Sequence, residues 1–260
     1  MNQPKPLKRF GQNYLVDQNI IRKIITEFNP LADDVVLEIG PGTGALTSHL
    51  VDSVNDFYAV EVDKRVVDDL RARFPKAHFV NADFLKTEIK DLVSTEKKIR
   101  FIGNIPYNIT SPIVFKLMEN RNRVKDAMFM VQLEVARRMT AKEKSDDYGI
   151  LGVLLNYFAT TKLCFKISPN VFYPKPKVHS AVVHMDFNRA ADSSVNDEHF
   201  ISVVKAAFGN RRKTLKNSLS NSIFGKTEFM LGTFDLTRRA EELSINEFVE
   251  LAKLLNVKQK

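Results

Sequence analysis

The chain has 260 residues, 44% of them hydrophobic, which is enough for one large domain with a smaller appendage and a true apolar core. Lys and Arg outnumber Asp and Glu by 39 to 31, a formal charge of +8 that favours a polyanionic partner without specifying one. A single cysteine excludes an internal disulfide, no run of about 18 apolar residues suits a membrane span, and Met1–Arg9 lacks the apolar core of a signal peptide, so a cytoplasmic protein is expected.

In chain order, the first strand signal is Val35–Ile39, an apolar β-branched run that leads into Gly40-Pro41-Gly42-Thr43-Gly44-Ala45 and then a helix-like Leu46–Leu50. Strand, glycine loop and helix in that order bring the backbone close to a ligand at a helix N-terminus. The loop also fits the fingerprint of nicotinamide and flavin enzymes, so it leaves the cofactor open. The second strand, Phe57–Val62, carries Glu61 about 20 residues beyond Gly40, the offset at which an acid meets ribose hydroxyls. The third, His78–Val80, is closed by Asp83, whose carboxylate can accept a hydrogen bond from an adenine amine.

The fourth strand, Ile99–Ile102, narrows the chemistry, because Asn104-Ile105-Pro106-Tyr107 follows it at the carboxyl end where open α/β sheets place their ligands. An exocyclic adenine amine is a poor nucleophile, its lone pair being delocalised into the ring. The Asn104 side-chain oxygen and the main-chain carbonyl of Ile105 or Pro106 can draw its two hydrogens out of plane. Pro106 restricts the local backbone, and Tyr107 offers a flat face to a base that has left its stack. Direct transfer of a methyl group to nitrogen from a sulfonium needs no metal, covalent nucleophile or triad.

Ala127–Val131 reads as a fifth strand. Lys162–Ile167 and Ser180–Phe187 read as an antiparallel hairpin at the sheet edge, making seven strands in a doubly wound, Rossmann-like α/β sheet. Between the last two strands, Phe172 is the candidate for the second aromatic face of a base clamp. Cys164 reads as a small buried residue, and His179 and His184 as structural or RNA-facing. The polar stretch Asn188–Asp197 marks a boundary between a catalytic domain, 1–190, and a small all-α domain, 191–260, in which Phe200, Val203, Val204, Ala207 and Phe208 show helical spacing. Arg211, Arg212, Lys213 and Lys216 place four cations within about two helical turns, a candidate phosphate-binding face. The terminal residues Lys258–Lys260 are expected to fray.

Together, Phe10-Gly11-Gln12-Asn13-Tyr14-Leu15, Glu38-Ile39-Gly40-Pro41-Gly42-Thr43-Gly44, Asn104-Ile105-Pro106-Tyr107-Asn108 and Phe172-Tyr173-Pro174-Lys175-Pro176-Lys177-Val178-His179-Ser180 resemble the ribosomal RNA adenine N6,N6-dimethyltransferase family over nearly the whole chain. The resemblance implies a class I methyltransferase sheet and S-adenosylmethionine as donor, with S-adenosylhomocysteine as product. It implies cofactor contacts from Asn13, Leu15, Gly40, Glu61, Asp83 and Asn104, with Tyr107 and Phe172 about the target base. Two branches share these motifs, a KsgA-type housekeeping branch of the small subunit and an Erm-type resistance branch of the large subunit. Phe208–Leu219 and Arg239–Ser244 look like the former, whereas Ile105 is commoner in the latter. The implied activity is dimethylation of two adjacent adenosines near the 3′ end of 16S rRNA in a small-subunit precursor, by a monomer. An Erm-type large-subunit rRNA adenine dimethyltransferase, a nicotinamide oxidoreductase and a noncatalytic assembly factor are the alternatives.

Overall fold

In the computed structural model the described residues are 6–7, 11–188, 194–210, 212–225 and 234–255. Phe10, Arg211 and Lys258–Lys260, all singled out above, lie outside them, as does part of the 188–197 linker.

Seven strands form one sheet: β2 (Val35–Ile39), β3 (Asp56–Glu61), β4 (His78–Asn81), β5 (Ile99–Asn104), β6 (Val124–Gln132), β7 (Thr160–Ile167) and β9 (Ser180–Asp186). Their order is β4-β3-β2-β5-β6-β9-β7, parallel from β4 to β6 and antiparallel through β9 and β7. This is the expected doubly wound class I methyltransferase sheet, with its last two strands paired as an antiparallel edge. Every residue of β2 is buried, as a central parallel strand covered on both faces requires.

Helix α1 (Gln18–Phe28) shows why the local sequence folds as it does. Asp17 caps it by accepting from the backbone N–H groups of Asn19 and Ile20, and Asn29 ends it in the left-handed conformation with φ 47°. Ile21, Ile24 and Phe28 fall on one face and are buried against Val36, Phe57, Ala59 and Ile102 of the sheet, together with Val66 and Leu70 of α3 (Lys64–Arg73). Each such side chain contributes about 2 kcal/mol by leaving water. The short α2 (Thr47–Leu50) and α4 (Ile89–Leu92) complete the early crossovers, and α5 (Thr110–Glu119) follows β5, burying Ile113, Val114, Leu117 and Met118.

A second, two-stranded sheet has no counterpart in the sequence reading. It pairs β1 (Tyr14–Leu15) with β8 (Phe172–Tyr173), Tyr14 opposite Tyr173 and Leu15 opposite Phe172. Two residues are too few to show a strand period. Alternation sends Phe172 inward at 4% exposure and Tyr173 outward at 65%. Cys164 differs from its expected burial: it is a free, half-buried thiol on the edge strand β7.

The chain divides into two compact units, Met1–Ala136 with Thr160–Asn188, and Arg137–Ala159 with Arg189–Lys260. The expected split at 190/191 did not assign residues 137–159 to the second unit. Helix α6 (Leu133–Met139) runs into the start of this segment, and α7 (Ile150–Phe158) lies within it. The reason is aromatic packing: Tyr157 on α7 stacks on Phe200 of α8 (Asp197–Ala207) with centroids 3.8 Å apart. In the same unit α9 (Leu215–Ser220) is short, and α10 (Ile245–Leu254) starts at a capping box between Ser244 and Glu247. Among the described residues, no helix is long and apolar enough to cross a membrane.

Candidate active site

The order of the strands reverses between β2 and β5, and ligands of open α/β sheets bind at the carboxyl ends of strands at such a switch point. A cavity of about 300 Å³ opens there in the first unit. Its wall brings together Asn13, Leu15, Gly40, Glu61, Asp83 and Asn104, along with Pro106 and Tyr107. Residues as far apart in sequence as Asn13 and Tyr107 therefore share one cleft, and of the expected site residues in this unit Phe172 alone is outside its wall.

The glycine loop forms the floor. Gly40, Gly42 and Gly44 have φ of 67°, 54° and 81°, a region that side chains with a Cβ rarely adopt. A Cβ on Gly40 would meet nothing within 4 Å, so the backbone there faces open cleft, while one on Gly42 would come to 3.0 Å from the Tyr14 ring. Gly103 has a different function. A Cβ there would lie 2.4 Å from the Ile39 carbonyl oxygen, so glycine lets β5 approach β2 closely just before Asn104.

Two acids stand at successive strand ends. Glu61 is almost fully buried, its Oε1 accepting from the Asp63 N–H at 2.9 Å, and burial pushes its carboxyl above the usual range. Asp83 is more open and accepts from the Leu85 N–H at 3.0 Å. Glu38, which the sequence reading treated only as part of a motif, is also in the wall. Burial pushes it up to about 8, against a 2.6 Å hydrogen bond from the Thr47 hydroxyl.

At the end of β5 the Asn104 amide nitrogen donates to the Asn13 main-chain carbonyl at 2.6 Å. This bond turns the amide so that Oδ1 is the end left for a ligand, and among the described residues no donor occupies it. Pro106 has φ −58° and ψ 134°, and its carbonyl accepts from the Ile109 N–H at 3.1 Å, closing a one-turn 3-10 helix over Tyr107–Ile109. Ile105 lines the cleft at 1% exposure, and its carbonyl is not the acceptor of this turn. Tyr107 is half-buried, and its hydroxyl is 2.7 Å from the Ser180 Oγ.

Sequence reasoning missed the Asn13 carbonyl, the Tyr14 ring and Ser180. A main-chain acceptor carries no sequence signal, and Ser180 enters the sequence reading only as the first residue of a strand and the last of a motif. The expected basic face takes another shape in the second unit. Only Lys216 is on α9, whereas Arg212 and Lys213 precede it in a turn closed by the Lys213 N–H to the Asn210 carbonyl at 2.8 Å. All three are exposed, but a single helical face does not hold them.

A seven-stranded sheet of this order, with a glycine loop after its first parallel strand, an acid closing the next, and an Asn-Ile-Pro-Tyr turn after β5, defines a class I methyltransferase. The comparisons make the class specific. A model described as ribosomal RNA adenine dimethylase matches residues 5–257, and the chain belongs to that family of S-adenosylmethionine-dependent rRNA methyltransferases. The chain is 43% identical over 258 residues to the ribosomal RNA small subunit methyltransferase A of Francisella tularensis subsp. novicida, covering 97% of this chain and 98% of the relative. The same protein of Francisella tularensis subsp. tularensis matches at the same identity and coverage. Among solved structures, a dimethyladenosine transferase from Plasmodium falciparum is similar with a TM-score of 0.76 at 25% identity, covering 91% of this chain and 95% of that one. The 23S rRNA methyltransferase ErmE gives 0.69 at 28%, covering 94% and 100%. Family membership removes the nicotinamide alternative that the glycine loop left open.

Proposed function

We propose that this protein dimethylates the N6 amine of two adjacent adenosines near the 3′ end of 16S rRNA, acting as a monomer on a small-subunit precursor in the cytoplasm during ribosome biogenesis. The observation that carries the amine chemistry is the bond from the Asn104 amide to the Asn13 carbonyl, because it commits Oδ1 to accepting. Small-subunit specificity draws on the 43% identity to small-subunit relatives against 28% to the large-subunit enzyme.

The donor, S-adenosylmethionine, supplies a methyl group on a positively charged sulfur and leaves as S-adenosylhomocysteine. The residues present fit it. Gly40 leaves room for close approach at the loop, buried Glu61 offers a carboxylate for ribose hydroxyls, Asp83 one for the adenine amine, and Asn13 and Leu15 add to the cleft wall. On the acceptor side, Asn104 Oδ1 and the Ile105 carbonyl take the two amine hydrogens and free the nitrogen lone pair. Tyr107 faces the base that has left its stack. The nitrogen forms its bond to the methyl carbon as the carbon–sulfur bond breaks, and the proton departs once the alkylated amine has become acidic. Exposed Arg212, Lys213 and Lys216, with Arg211, are assigned to phosphate contacts.

Transfer of labelled methyl groups to purified small and large subunits, followed by mapping, tests the proposal. Label is expected at adjacent adenosines of small-subunit RNA; label on large-subunit RNA would move the protein to the resistance branch. Asn104→Ala is expected to abolish transfer while leaving RNA binding largely intact, and full activity in that variant would remove Asn104 from the reaction.

A further inference from the structure

We propose that Ser180 is a positioning residue for methyl transfer, its buried hydroxyl holding the Tyr107 ring in place at the pocket wall. The inference rests on the function proposed above, in which Tyr107 faces the target base.

Ser180 is fully buried and heads β9, where Ala181, Val182 and Val183 after it are fully buried and apolar. A hydroxyl in such a place needs a partner, and among the described residues its partner is the phenol of Tyr107 at 2.7 Å. The serine is itself held within the sheet. It pairs with Gln132 of β6 on one side and Ile167 of β7 on the other, and the His179 carbonyl just before it accepts from the Leu133 N–H at 2.9 Å. Tyr107 has no such support from its own segment, being the first residue of a single 3-10 turn after Pro106. The bond thus ties a ring on a short turn to the middle of a three-strand ladder more than seventy residues further along the chain. Misplacing an aligned group by about 1 Å can cost up to about 100-fold in rate.

A double-mutant cycle of Ser180→Ala and Tyr107→Phe, measured by methyl transfer to small-subunit particles, tests this. Each single variant is expected to lower kcat about tenfold, with the KM and calorimetric Kd for S-adenosylmethionine held within about twofold, and the double variant is expected to fall no further. Wild-type kcat in Tyr107→Phe, additive losses in the double variant, or a Ser180→Ala loss expressed in KM would each overturn the positioning role. A wild-type protein inert on small-subunit particles would instead overturn the proposed function, and the positioning role with it.

Discussion

Asn104 illustrates how a single side chain acquires its chemistry from a neighbour distant in sequence. Its amide has both a donor and an acceptor end, and the Asn13 carbonyl, by taking the donor, leaves the acceptor for substrate. Glu61 is set by burial in a similar way. Its carboxylate is almost completely withdrawn from water yet lines the cleft, so a ligand hydroxyl that reaches it gains a bond with little competition from solvent. Hydrogen bonds to charged groups contribute about 1.5–3 kcal/mol, so Glu61→Ala is expected to weaken S-adenosylmethionine binding by roughly 10- to 100-fold, measured by titration calorimetry. An unchanged Kd would take Glu61 out of the cofactor site. Phe172 is buried by the same strand pairing as Leu15, and residue type alone does not say which way a side chain points.

The elements are held in register by a buried ion network at the opposite ends of the strands from the cleft. Arg100 near the start of β5 forms two bonds to Asp126 of β6, at 2.8 and 2.7 Å, and one of 2.7 Å to Asp34 just before β2. It also donates to the Phe28 and Asn29 carbonyls at the end of α1, while His184 of β9 reaches Asp126 at 2.8 Å. Burial alone would push the Asp34 carboxyl up, but hydrogen bonds from Lys125 and Arg100 prevail and hold it at about 2. Asp126 is likewise lowered, its burial outweighed by His184 and Arg100. A carboxyl depressed in the folded state stabilises fully above its ordinary value near 4 and loses that contribution as pH falls through the folded value. Asp34→Asn is therefore expected to cost about 3 kcal/mol at pH 7 and to flatten the acid limb of stability between roughly pH 4 and 2, read from urea midpoints across pH. A parallel, merely displaced acid limb would show that the network does not govern it.

For the whole molecule, the +8 charge becomes informative only with its location. Arg212, Lys213 and Lys216, the proposed phosphate contacts, are exposed in the helical second unit, although they fall on a turn and a short helix instead of one face. Neutralising these three is expected to weaken binding to small-subunit RNA and to reduce the slope of log K against log salt by about 2, since each phosphate contact contributes roughly 0.7–0.9. An unchanged slope would move the phosphate contacts elsewhere. The second unit is assembled from two separate stretches of chain, because Tyr157 and Phe158 of α7 pack on Phe200 of α8. A linear boundary drawn at a polar stretch has no way to register that.

The sequence by itself determined seven strands alternating with helices along the chain, the glycine loop, the acids at the ends of β3 and β4, and the Asn-Ile-Pro-Tyr turn. Each rests on local constraints: periodicity, φ preference, and the placing of chemistry at strand ends. Tertiary structure alone decided which end of Asn104 faces the cleft, where Phe172 points, what steadies Tyr107, and which unit holds residues 137–159. Those outcomes depend on partners far along the chain. A hydrogen bond from Asn104 to Asn13, or from Tyr107 to Ser180, exists only once the sheet has brought its two residues together.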